Sequence, residues 1–145
     1  MLSPSEVADL AELNQLAYRY AAAVDSRDAD AFLSVFCSEA RLTVFGPGAD
    51  EPFSVAAGHE ELARVPQMMR ERYTRTAHLM TNHLVRLDGD TASGTLLCTA
   101  RHLSANTAGG TDLVVVIRYV DRYERREGLW LILDREIRFL WGETH

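Results

Sequence analysis

Apolar positions recur at threes and fours through the first part of the chain: Val7, Leu10, Leu13, Leu16, Ala17 and Tyr20. That period places them on one stripe and predicts a helix from Ser5 to about Val24. Ser3 or Ser5 can cap it, and Pro4 suits its first turn. Asp28 can cap a short second helix whose apolar side is Phe32, Leu33, Val35 and Phe36. Arg41 to Phe45 alternates as a strand does. The next residues, 46–52, hold two glycines and two prolines and read as a loop. Gly58 to about Arg72 reads as a third helix with Leu62, Val65, Met68 and Met69 on its apolar side. Pro66 lies in its interior, so a bend or a later start is expected there.

The second half is strand-like. Thr76 to Leu87 runs into Asp88-Gly89-Asp90, a hairpin signal. Thr91 to Leu103 follows, then a Ser/Asn/Gly-rich loop ending near Gly110. Thr111 to Tyr123 is rich in valine, Arg125 to Gly128 is a turn, and Leu129 to about Leu140 is the last strand. Helices first and long strands afterwards predict an α+β fold, with three helices packed on one curved sheet around a pocket.

At 145 residues the chain reads as one domain, 1–145, large enough to fold without disulfides or metal. A formal charge of −6 argues against nucleic acid as a partner. No run of about 18 apolar residues suggests a membrane span. Cys37 and Cys98 lack metal-like spacing and read as reduced, buried thiols of a cytoplasmic protein. All 15 basic residues are arginine, so Schiff-base chemistry on a lysine is excluded. There is no GxGxxG, HExxH or GxSxG, so neither a nucleotide cofactor nor a zincin site nor a nucleophile elbow has support.

Five histidines are present. His145 is terminal and His59 lies at a helix start, where solvent is its expected partner. His78 and His102 fall inside strands on either side of the hairpin. A three-residue loop at 88–90 would pair His78 with Ala100 and put both histidines on one face. A two-residue loop would shift the register by one and send them to opposite faces. Asp-Gly fits either. His83 has the opposite parity from His78 and points away from it if the strand is unbulged. Asp25 ends an apolar helical run, where the helix dipole disfavours an acid. It is either a polar residue of the 25–28 turn or the partner of a buried histidine. A carboxylate accepting one imidazole N–H would fix the tautomer and leave the other nitrogen to remove a proton. Two histidines with one carboxylate are only a weak metal signal.

Four stretches carry a family resemblance: Tyr20-Ala-Ala-Ala-Val-Asp-Ser-Arg-Asp28, Arg75-Thr-Ala-His78 with Thr81-Asn82, Tyr123-Glu-Arg-Arg-Glu-Gly-Leu-Trp130, and Trp141-Gly-Glu143. Together they resemble the SnoaL-like branch of the NTF2-like superfamily, α+β cones with a deep pocket, over roughly Leu13 to Glu143. Within it they are most similar to scytalone dehydratase and hexachlorocyclohexane dehydrochlorinase. The resemblance implies a catalytic dyad of Asp25 and His78, a second catalytic histidine at His102, and an arginine at Arg125 or Arg126. It implies a cofactor-free, metal-free lyase or isomerase, most concretely a dehydratase, acting on a small hydrophobic cyclic metabolite. It also implies a homo-oligomer, dimer or trimer.

The chain departs from the dehydratase pattern. Two tyrosines that polarise the substrate carbonyl there fall on Val24 and Phe45, and a pocket asparagine falls on Tyr119. Tyr119, Tyr20 and Asn82 are the candidate replacements, and Trp141 joins them as a candidate pocket wall. Of the large apolar set, Phe32, Phe36, Phe53, Met68, Met69 and Trp141 divide between core and pocket. The competing reading is a non-catalytic member that binds a small molecule or serves as a scaffold.

Overall fold

A computed structural model describes residues 1–104 and 110–145; the glycine-containing loop read after Leu103 lies in part outside the described residues. The predicted α+β cone is what it shows, as a mixed six-stranded sheet with helices on one side. The first helix, α1 (Pro4–Ser26), begins at a capping box in which Ser3 and Glu6 each bond the other's backbone N–H. It ends at Arg27, whose left-handed φ of 56° turns the chain. Asp28 then caps α2 (Ala29–Ser34) by accepting from Ala31 N–H.

β1 (Phe36–Phe45) is longer than its sequence signal. β2 (Ser54–Ala57) emerges from the expected loop and pairs antiparallel with β1. The predicted third helix is two: α3 (Gly58–Leu62) and α4 (Arg64–Arg72), broken at Ala63. Pro66 explains the break, because it falls in the first turn of α4, where its missing N–H costs nothing.

β3 (Arg75–Asp88), β4 (Thr91–Ser104), β5 (Thr111–Arg126) and β6 (Leu129–Thr144) form an antiparallel meander, and β1 adds parallel to β6. The sheet order is β2-β1-β6-β5-β4-β3. The β3–β4 hairpin resolves the register question by using both alternatives. Its turn is the two-residue one, Gly89-Asp90, so Asp88 faces Thr91. A bulge between Thr81 and Leu84 then shifts the pairing by one, and His78 faces Ala100. Asn82 makes the bulge in a left-handed conformation, φ 53°. The parity flip turns His83 inward as well as His78, against the expectation for an unbulged strand.

The core is the inward face of the sheet against α1 and α2. Leu13, Leu16, Phe32, Leu62, Leu96 and Ile132 are fully buried in it. Phe32 and Phe36 pack their rings on one another and on Tyr20, so these two belong to the core. His59 is half-buried and lies 3.2 Å from the Phe36 carbonyl, to which its ring N–H can donate. His145 is held by a pair of backbone bonds to Asp112. Cys37 and Cys98 are free and buried. Among the described residues no helix is long and apolar enough to cross a membrane.

Candidate active site

The sheet and helices close around a cavity of about 440 Å³. α1 contributes Tyr20 and Val24. Leu42 and Val44 come from β1, and Ile117 and Tyr119 from β5. Val65, Met68 and Met69 of α4 form the opposing wall, with Phe53 and Phe139 stacked near each other at 6.5 Å between centroids. His78 and His102 supply a polar edge.

Asp25 sits on the last turn of α1, where the helix delivers it to the inner side of β3. Its carboxylate receives three donors. His78 Nδ1 lies 2.7 Å from Oδ1, the His78 backbone N–H donates to Oδ2 at 3.0 Å, and Thr76 Oγ1 donates to Oδ1 at 3.0 Å. The side chain of His78 is 6% exposed and that of Asp25 28%. Burial alone would raise the Asp25 carboxyl, but the bonds from the His78 ring and backbone and from Thr76 outweigh it, and the group lies below the usual carboxylate range. An ionised Asp25 requires a proton on Nδ1 of His78, and in the neutral imidazole that leaves Nε2 with its lone pair. Thr76 carried no signal of its own in the sequence. Strand parity with His78 was its only mark.

His102 lies one strand over, its ring centroid 5.2 Å from that of His78. Tyr73 stacks on it at 4.6 Å. The residue is 6% exposed, and neither ring nitrogen has a hydrogen-bond partner among the described residues. Burial, reinforced by the neighbouring His78, pushes its pKa down to about 4. At neutral pH it is therefore an uncharged imidazole with one free donor and one free acceptor. Unpaired buried polar atoms are costly, and they stand here on the wall of a cavity.

Tyr119 and Tyr20 form the floor, with ring centroids 5.8 Å apart. Burial holds both hydroxyls protonated, with pKa values above the ordinary tyrosine value. Tyr119 thus faces the cavity from the same strand face as Val115 and Ile117. Beneath the two rings lies Arg135, fully buried, its guanidinium 4.2 Å from the Tyr20 centroid and 4.4 Å from that of Tyr119. Asp121 neutralises it through two bonds of 2.8 and 2.7 Å. Sequence reading missed this pair. The available signal was the inward parity of Asp121, between Tyr119 and Tyr123 on β5.

Three of the residues read as pocket candidates do not reach the cavity. Phe45 has the opposite parity from Leu42 and Val44 and packs under the Arg138 guanidinium at 4.0 Å. Asn82 sits at the bulge and borders a separate polar groove with Asn14, Tyr18 and His83. Trp141 is turned to the outer sheet face by a register shift between Val116 and Ile117, and is 59% exposed. The arginine candidates are also elsewhere. Arg125 is held by Asp9 and Asp90, and Arg126 by Glu39 and Glu124. Tyr20, Val24 and Tyr119 are where the sequence reading put them. Among the described residues no group of three or more His, Cys, Asp or Glu side chains is arranged to hold a metal ion.

A curved α+β cone with an imidazole–carboxylate pair on the wall of an apolar cavity defines a class of small pocketed domains with an NTF2-like fold. The SnoaL-like domain model matches residues 5–136, and the chain belongs to that family. Uncharacterized proteins of Mycobacterium tuberculosis and Mycobacterium bovis are each 30% identical to it over 98 residues, 68% of this chain. The chain spans 63% of the length of these curated relatives. Among solved structures, a Novosphingobium aromaticivorans protein provisionally assigned as an aromatic ring hydroxylase superposes with a TM-score of 0.83. It is 26% identical, over 99% of this chain and 96% of its own. A protein of the same organism, provisionally assigned as a scytalone dehydratase, gives a TM-score of 0.86 at 14% identity, over 99% and 92% of the two chains. Hexachlorocyclohexane dehydrochlorinase LinA-type3 from Novosphingobium barchaimii gives 0.82 at 20%, over 96% and 91%. At those identities the last two likenesses concern the fold.

Proposed function

We propose that the cavity is the active site of a cofactor-independent lyase or isomerase, most concretely a dehydratase, acting on a small hydrophobic cyclic molecule. The observation that carries this reading is the 2.7 Å contact between His78 Nδ1 and Asp25 Oδ1, with His78 on the wall of a largely apolar cavity. A non-catalytic binding domain has no need of an oriented imidazole base.

In the dehydration, Nε2 of His78 removes a proton from the carbon next to a carbonyl. The C–H electrons become the new double bond as the carbon–oxygen bond to the leaving hydroxyl breaks. The imidazolium formed on His78, stabilised by Asp25, returns its proton to that hydroxyl, which departs as water. His102 is uncharged at neutral pH and serves as a hydrogen-bond donor to the developing oxyanion. The Tyr119 hydroxyl, kept protonated by burial, is the second donor and takes the place of the phenols absent at Val24 and Phe45. A double-bond shift would use the same base with the proton returned to carbon.

The test is incubation with a panel of hydroxylated bicyclic ketones in deuterium oxide, followed by NMR. The wild-type protein exchanges the carbon-bound proton or eliminates water. His78→Ala loses at least about 100-fold of that rate, with its melting temperature little changed. Equal rates would remove the dyad from the chemistry, and no exchange across the whole panel would remove the carbonyl-substrate reading.

A further inference from the structure

The wall formed by α4 has one residue out of character. Val65, Met68, Met69 and Arg72 follow the spacing i, i+3, i+4, i+7, and all four line the cavity. Helical period thus places a guanidinium on the stripe that otherwise carries only apolar side chains. Arg70 and Glu71 fall off that stripe and do not line the cavity. Arg72 is the only permanently charged side chain among the described lining residues, and no carboxylate accompanies it.

The surroundings do not neutralise it. Arg72 has no hydrogen-bond or ion-pair partner among the described residues. Arg27 and Arg70, close by in the fold, are bonded to carbonyl oxygens and not to carboxylates. Arg27 donates to the carbonyls of Tyr73 and Asp25 at 2.9 and 3.2 Å, and Arg70 donates to that of Arg27 at 3.0 Å. Arg70 and Arg72 fall in the last turn of α4, with Glu71 between them, on a chain whose net charge is −6. Tyr73, the next residue after Arg72, stacks on His102. The cation and the catalytic edge are thus joined by one step of backbone.

We propose, on the reading of the cavity as an active site, that its substrate is a cyclic carboxylate whose apolar body fills the cavity and whose anionic group is bound by Arg72. A guanidinium presents paired donors to a carboxylate, and Arg72, exposed at the cavity rim, keeps them available. A neutral ring of the same shape gains only the apolar contact. Arg72 is on this account a specificity-determining residue. It holds the anion at the rim so that the ring carbons lie toward His78 and His102.

Calorimetric titration with naphthalene-2-carboxylate and with its neutral amide tests this. The wild-type protein binds the carboxylate more tightly than the amide. Arg72→Gln weakens the carboxylate by about 10-fold or more, the range of a charge-assisted bond, and changes the amide by less than about 2-fold. Arg72→Lys recovers part of the loss, because it restores the charge without the planar fork. Asp25→Asn leaves both affinities within about 2-fold while it abolishes turnover, so a failure of the catalytic reading is seen separately from a failure of anion binding. Equal losses for both ligands in Arg72→Gln, no loss for either, or no binding of either to the wild-type protein would overturn the proposal.

Discussion

Two polar systems cross the interior of this cone, and they are finished to different degrees. The deep one runs from Arg135 through Asp121 to Tyr123, His83 and Asn14. Tyr123 donates to Asp121 at 2.6 Å, and His83 is bonded at both ring nitrogens, to Tyr123 at 3.0 Å and Asn14 at 2.8 Å. Its one buried unpartnered atom among the described residues is Nη1 of Arg135, whose guanidinium lies against the faces of Tyr20 and Tyr119. The cavity system consists of Asp25, Thr76, His78 and His102. Its acid is saturated with donors, but His102 has no partner at either nitrogen. Both systems cost desolvation. The deep one recovers that cost through internal bonds, while the cavity one leaves both His102 nitrogens without a partner.

Removing a charge from each system separates them most sharply. Asp121→Asn strands the Arg135 guanidinium in a site with no solvent and is expected to cost about 3–5 kcal/mol of unfolding free energy. Asp25→Asn leaves its partners next to an open cavity and costs about 1–2 kcal/mol, while its effect on turnover is the larger one. Urea denaturation of the two variants measures the difference. Comparable losses would remove the distinction between a structural and a functional network.

A further effect is pH-dependent and belongs to His102. Its pKa in the folded protein, about 4, lies below the usual histidine value. Between about pH 6.5 and 4 the unfolded chain binds the proton and the folded one does not, so stability falls as pH falls through that window. The shift corresponds to about 3 kcal/mol across the whole range. His102→Phe keeps a ring against Tyr73 and removes this contribution, so its stability declines less steeply between pH 6.5 and 4. An unchanged slope would show that His102 is not held neutral by its burial.

The elements were legible because their signals are local. The capping residues of α1 and α2, the 3.6-residue period and the Asp88-Gly89-Asp90 turn each depend on a few neighbouring positions. The residues misplaced at the sequence level share another cause, which is long-range register. The shift between Thr81 and Leu84, the one near Trp141 and the one near Tyr123 each reverse the facing of everything beyond them. A strict alternation of two cannot see them; Asn82 and Trp141, taken as pocket candidates from the family resemblance, lie at two of these shifts and not on the cavity. Phe45 was placed by resemblance to the dehydratase pattern, although parity with Leu42 and Val44 already pointed it outward. Asp25 and His78 were proposed from the dipole argument together with that resemblance, and the fold brings them into contact. Thr76 and Arg72 were readable only once a partner and a cavity gave their parity a meaning.

The most direct measurement of the central claim is long-range proton–nitrogen NMR of the imidazole rings at neutral pH. An acid bonded to Nδ1 predicts that His78 carries its proton on Nδ1 and that Nε2 gives the shift of an unprotonated nitrogen. The same experiment on Asp25→Asn should show that preference lost. A His78 ring protonated at Nε2 in the wild-type protein, or one whose tautomer is indifferent to Asp25, would contradict the account.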